Sequence, residues 1–287
     1  MSRQQSNSNA RHYSRGVSIF LVLPLLGLMA FGFVYPVGNL LLGSLFTPEF
    51  SLSQYERIFE TPLYLKVLLR TFTVSLYVMV AAALLGYPIA VAMARVKRRL
   101  GLIIVACVLI SLWTSVLVRS YSWIVLLQRN GVINSLLTDA GLIDQPLRLL
   151  YTEGAVIMAM THVLLPYMIL PIFSAVRTIP VELENAARNL GANGWQTFVD
   201  IMLPLSMPGV FAGCLLTFIL ALGFFITPAL VGGPQSLMMA TLIGQQVTQT
   251  LDWPFASALS AMLLIATLIV VAVFRKFLSF DRGAARV

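Results

Sequence analysis

Charge is scarce in this sequence. Only 10% of its 287 residues are Asp, Glu, Lys or Arg against 59% hydrophobic ones, and the mean hydropathy is +0.88. That leaves too little polar surface to cover a water-soluble globule, which excludes a soluble enzyme or binding module. Cysteine and histidine are scarcer still, at two each. Cys107 and Cys214 fall inside apolar runs without CxxC or other ligand spacing, so a disulfide framework or metal centre is excluded and both read as small packing residues. No acid lies within any apolar run, so the paired acid/base groups of a membrane-embedded enzyme cannot be assembled. Internal repeats and Gly/Ser or Pro-rich linkers are also missing, and the chain reads as one domain.

What the sequence has instead is a series of apolar stretches, at 17–46, 71–94, 100–118, 155–176, 205–231 and 255–274. Crossing a bilayer takes about 20 apolar residues, and within lipid only a helix satisfies its own backbone donors and acceptors. The expected fold is therefore all-α, an integral membrane protein of six transmembrane helices. Residues 1–16 form an N-terminal tail, 17–276 one transmembrane domain and 277–287 a C-terminal tail. The first apolar run is too long for a signal h-region and reads as a retained helix.

The net charge of +8 resembles a nucleic-acid footprint, but the basic residues flank apolar runs and do not gather in one domain, so nucleic acid is not an expected partner. They are distributed unequally. Arg3, Arg11, Arg15, the Arg95, Lys97, Arg98, Arg99 cluster, Arg177, Arg188, Arg275, Lys276, Arg282 and Arg286 fall on one side, and only Arg57, Lys66, Arg70, Arg119, Arg129 and Arg148 on the other. The positive-inside rule then puts both termini in the cytoplasm. Arg70 and Arg119, at the ends of apolar runs, can snorkel to the headgroups. The outer segments 47–70 and 120–154 carry interleaved aromatic and polar residues and are expected to form short interfacial helices. The 11-residue stretch Leu237 to Val247 is too short to cross and is placed at the outer surface or re-entrant.

A loop at 177–206, reading RTIPVELENAARNLGANGWQTFVDIMLPLS, joins the fourth and fifth runs. Pro180 followed by Val181, Leu183, Ala186, Ala187 and Leu190 at helical spacing predicts a short amphipathic helix that ends at Gly191, the residue best able to supply a left-handed cap. A second amphipathic piece, Trp195 to Met202, leads to Pro204 and Pro208. Such a helix on the cytoplasmic side calls for a groove in a partner, the alternative being a face that rests on lipid headgroups.

The stretch resembles the EAA loop of ABC importer permeases, the inner-membrane components of binding-protein-dependent transport. That pattern is Glu-Ala-Ala, a Gly, then Ile-x-Leu-Pro, and Ala186, Ala187, Gly191, Ile201, Leu203 and Pro204 stand in its register. Asn185 takes the place of the Glu, with Glu184 one residue earlier. The resemblance implies that Leu183, Glu184, Asn185, Ala186, Ala187, Leu190 and Gly191 form the coupling helix that docks on a cytoplasmic ATPase subunit. It further implies a second, related permease chain, a periplasmic substrate-binding protein and a bacterial inner-membrane location. No cofactor is expected in this chain, and ATP with Mg belongs to the partner ATPase, so the chain itself is not expected to be an enzyme.

Beyond the loop, Arg119-Ser-Tyr121-Ser-Trp123, Gly131-Val-Ile-Asn134, Leu165 to Pro171, Gly232-Gly233 and Asp252-Trp253-Pro254 are similar to spermidine/putrescine-type permeases. Members of that branch tend to carry an acid in the fifth helix just before Gly-Gly, where this chain has Phe224 and Ala229. The implied cargo is a polyamine or a related amine, opine or amino-acid-like solute. Trp113, Arg119, His162, Tyr167, Phe224, Phe225 and Thr227 are the candidates for the translocation path, ordinary packing and interface aromatics being the alternative for most of them. His162, near the middle of the fourth run, is a functional candidate as an intramembrane ionisable group, or a neutral histidine bonded to a neighbouring helix. Pro166 and Pro171 free carbonyls in the same helix. An ion-coupled secondary carrier is the competing reading, and it calls for intramembrane acids and inverted repeats.

Overall fold

The computed structural model describes residues 15–46 and 49–284, and every regular element among them is helical. The expected N-terminal tail falls largely outside this range, residues 1–14 and 285–287 not being described, whereas the last helix continues through Ala284 and takes in most of the expected C-terminal tail. Five helices are long and apolar enough to cross a membrane, and a sixth candidate is a bent pair.

The first candidate is nearly continuous, α1 (Arg15–Met29) and α2 (Tyr35–Gly43) being joined through a π turn at Ala30–Val34. Its apolar side chains, Phe20, Phe31 and Phe33 among them, face outward, and only its α2 end rests on the last helix. That exposure suits lipid or another subunit and is foreign to water. A short amphipathic helix, α3 (Ser53–Glu60), precedes the longest element, α4 (Pro62–Arg95). With Pro62 at N1, where its missing N–H costs nothing, α4 begins nine residues before the expected start of its apolar run and spans about 50 Å at 1.5 Å per residue.

The core is three mutually packed helices, α4, α8 (Glu153–Thr178) and α11 (Leu203–Leu222), with α8 packing most extensively on the other two. Val74, Val78, Ala82, Gly86, Ala90 and Met93 of α4 form one stripe at three- and four-residue spacing, and Met160, Leu164, Met168, Ile169 and Ile172 of α8 meet it. On the other flank Gly209 and Gly213 let α11 approach α8 almost backbone to backbone. A Cβ at Gly209 would lie 2.5 Å from Ala175 Cβ and 2.7 Å from the Pro171 carbonyl, and one at Gly213 would lie 2.8 Å from Met168 Sδ. This is the small-xxx-small contact of membrane helices, where close van der Waals packing takes over from the hydrophobic effect. A Thr152 hydroxyl accepting from Ala155 N caps α8 at its start, and the helix runs on through Pro166 and Pro171.

Two of the expected spans are broken. The run at 100–118 divides into α5 (Arg98–Trp113) and α6 (Val116–Leu127), which together with α7 (Val132–Asp139) turns away by 98°. The run at 205–231 stops at Leu222 and restarts as α12 (Ile226–Val231). Hydropathy cannot see either break, because apolar residues continue through both. Next come a 3₁₀ turn at Pro234–Ser236 and α13 (Met239–Gln245), which continues into a π turn at Gln246–Thr250; this places the stretch from Leu237 to Val247 as a short helix that does not cross. The final helix is α14 (Trp253–Ala284), whose start packs Phe255 and Leu259 against Ile58 and Val67.

Candidate functional site

The loop between α8 and α11 folds as the sequence predicts. The residue before Pro180 is driven out of the helical region, so α8 ends and Ile179 is extended. A new helix, α9 (Val181–Asn189), begins at once. It closes on Gly191 at φ 91°, with Ala192 N donating to Ala187 O and Gly191 N to Arg188 O at 3.0 Å each, the paired bonds of a Schellman cap. Asn193 and Gln196 then form a reciprocal capping box at 2.8 Å and start α10 (Gly194–Thr197). A π turn at Phe198–Met202 carries α10 into α11 without a break, so the second amphipathic piece is the start of the candidate spanning helix at 194–222, and Pro204 sits in the first turn of α11.

Periodicity sorts the residues of α9. Leu183, Asn185, Ala186, Leu190 and Gly191 lie outward, with Leu190 90% exposed and Trp195 just beyond at 71%. Two members of the sequence-predicted docking set do not join them. Ala187 is half-buried, and Glu184 is buried against the C-terminal end of α4, its Oε1 lying 2.7 Å from Arg95 Nη2. The same Nη2 donates to Ile179 O at 2.9 Å, so the carboxylate meets a close ion pair and not an aligned hydrogen bond. Glu184 thus cannot replace the outward acid that Asn185 lacks. The sequence reading missed Arg95 because it counted only as one of the inward-side charges, and no local pattern announces a partner 89 positions away.

A groove of 790 Å³ opens between α4 and the segment that follows the loop, lined by Ala83, Tyr87, Val91, Arg95, Phe198 and Leu203. α4 and α11 pack directly on each other beside it. Tyr87 Oη and Ser206 Oγ are 2.7 Å apart, and the Tyr87 ring meets Phe198 edge-on.

The path candidates gather mostly where the two broken helices meet α8. Ser120 of α6 and Thr227 of α12 share a buried hydrogen bond of 2.7 Å. Arg119, expected to snorkel from a helix end, does not: it is 7% exposed, and its Nη1 donates at 3.1 Å to Val163 O, halfway along α8. The break before Val116 explains the difference, since it turns position 119 from a helix end into a first-turn residue aimed at α8. Val163 O neighbours the carbonyl that Pro166 leaves without its usual donor, so Arg119 ties α6 to the weakened turn of α8. His162 faces outward on α8, and its Nδ1 accepts from Trp123 Nε1 at 3.3 Å. Arg119 is therefore a second ionisable group within the helices beside His162. Tyr167 and Phe224 pack on one cluster around Val74 and Met160, while Phe225 lies against Gly244. Trp113 stands apart at the end of α5, 83% exposed. Among the described residues no group of His, Cys, Asp and Glu is placed to hold a metal.

Comparison with known proteins agrees with this geometry. The spermidine/putrescine transport system permease protein PotB of Escherichia coli K12 is 36% identical over 225 residues, covering 78% of this chain and 82% of its own length. PotB of Haemophilus influenzae is 34% identical over 255 residues, covering 89% and 87%. The inner membrane ABC transporter permease protein YdcU of E. coli K12 is 32% identical and covers 94% and 92%. In fold the chain is similar to a bacterial ABC transporter involved in the import of alginate, with a TM-score of 0.73 at 17% identity over 91% of this chain and 94% of that one. With residues 86–280 matching the family model of the binding-protein-dependent transport system inner membrane component, the chain belongs to that family of inner-membrane transport proteins.

Proposed function

We propose that the chain is the permease subunit of an ATP-driven importer for a polyamine-type solute, a cargo class taken from the PotB relatives. The observation that carries the mechanism is α9, a helix fixed by a Schellman cap that turns Leu183, Asn185, Ala186 and Leu190 outward at one end of the bundle. This face docks on a cytoplasmic ATPase subunit, where ATP and Mg bind. With α9 inside, both termini are cytoplasmic and six spans cross, the bent α5–α6 pair serving as the third. A second permease subunit completes the path, and a periplasmic binding protein delivers the cargo. A solved relative in fold was captured with a pentasaccharide-bound periplasmic protein.

The absence of an acid at Phe224 and Ala229 narrows how the path handles a cation. The aromatic faces of Tyr167 and Phe224, both partly exposed, supply cation–π contacts in place of an ion pair. The test is uptake of radiolabelled putrescine and spermidine by proteoliposomes holding the complete complex and its binding protein. ATP-dependent accumulation supports the assignment. Accumulation of an amino acid or opine but neither polyamine overturns the cargo and keeps the machine.

A further inference from the structure

Arg95 is the C-terminal residue of α4, the longest helix among the described residues, and its guanidinium holds the start of the α8–α11 loop at two points: Glu184 Oε1 at 2.7 Å and Ile179 O at 2.9 Å. Both groups of the pair are largely buried, with side-chain exposures of 18% and 9%. A contact of this kind resists separation, because pulling the partners apart leaves a charge in poor surroundings. Its position matters as much as its strength. α4 packs on α8 and α11 within the bundle, but a groove lies between it and Phe198 and Leu203 just beyond the loop, and α9 itself offers mainly exposed side chains. Motion of α9 reaches α8 and α11 through the chain, since the loop connects them directly. Besides the route through α8, Arg95 gives α4 a direct hold on the loop, at Glu184 of α9 and at Ile179 O.

We propose that Arg95 is a positioning residue for transport, the clamp that makes the cytoplasmic end of α4 follow α9 when the docked ATPase moves it. The proposal rests on the docking role of α9. It assigns Glu184 to the inside of the permease, so an amide stands at the outward Asn185, and Glu182 and Arg188 are the exposed charges of α9.

The experiment uses the complete complex in proteoliposomes and reads cargo imported per ATP hydrolysed. Arg95→Met removes the charge and keeps most of the stem. Its expected result is a complex that still assembles with the ATPase, with a transport-to-hydrolysis ratio at least tenfold lower. Arg95→Lys restores a large part of that ratio, and the reversed pair Arg95→Glu with Glu184→Arg does better than either single change. A wild-type ratio in Arg95→Met overturns the clamp, as does a reversed pair no better than its parents. Gly191→Asp, measured alongside, separates the two ideas: uncoupling there with normal coupling in Arg95→Met leaves docking intact and removes the clamp, whereas normal coupling in both removes docking as well.

Discussion

Ser120 and Thr227 share a buried hydrogen bond of 2.7 Å between α6 and α12, the two segments that begin just after a break in a spanning helix. The bond joins the two irregular parts of the bundle to one another beside α8. Backbone freed at such breaks is tolerated at membrane depth only where protein buries it, and this pair marks that place.

Thr227→Val removes one hydroxyl and leaves that of Ser120 buried without a partner, at a cost of about 1–3 kcal/mol. Ser120→Ala with Thr227→Val together is milder than Thr227→Val alone, because no orphan remains. Thermal unfolding of the purified protein in detergent reads the difference. A double variant less stable than the single one contradicts the pairing.

Gly209→Val places side-chain atoms where Ala175 Cβ and the Pro171 carbonyl already sit, 2.5 and 2.7 Å from an added Cβ. The neighbour is backbone and cannot yield, so α11 must move away from α8, with a destabilisation at or beyond the usual overpacking range of about 1–3 kcal/mol. Gly194→Ala, with open space around it, is the control. Expression in the membrane and monodispersity after extraction fall for the first and hold for the second.

Arg119→Met exchanges a buried cation that has no carboxylate partner among the described residues for an apolar side chain of similar reach. Such exchanges are often neutral or stabilising, so the thermal midpoint in detergent stays or rises. Transport falls at least tenfold, because the tie between α6 and the proline-weakened turn of α8 is lost. Full transport in this variant shows that the turn needs no such tie.

How much of this was legible in the sequence depends on the range of the interaction. Helical type and the α9 cap are local, written in hydrophobic length and in Pro180 and Gly191, and the structure places both where the spacing does. The breaks at Thr114–Ser115 and at Gly223–Phe225 were hidden, because hydropathy averages over them and no proline or charge marks either. Glu184 was assigned to the outer face because sequence neighbours suggested it. Its inward turn follows from Arg95, a contact between positions far apart that no periodicity encodes. Arg119 was misjudged for a related reason: whether a residue ends a helix or begins one depends on the break three residues earlier.

The central claim is that α9 couples the bundle to an ATPase, and Gly191 offers the most direct test of it. Its φ of 91° is closed to other residues except at about 1–2 kcal/mol, and open space surrounds it, so Gly191→Asp disturbs the cap and its exposed face without a clash inside the chain. The measurement is ATP-driven uptake by the complex carrying Gly191→Asp at matched membrane levels. Uptake reduced at least tenfold with the protein normally inserted is the predicted result; uptake equal to that of the unaltered complex would contradict the account.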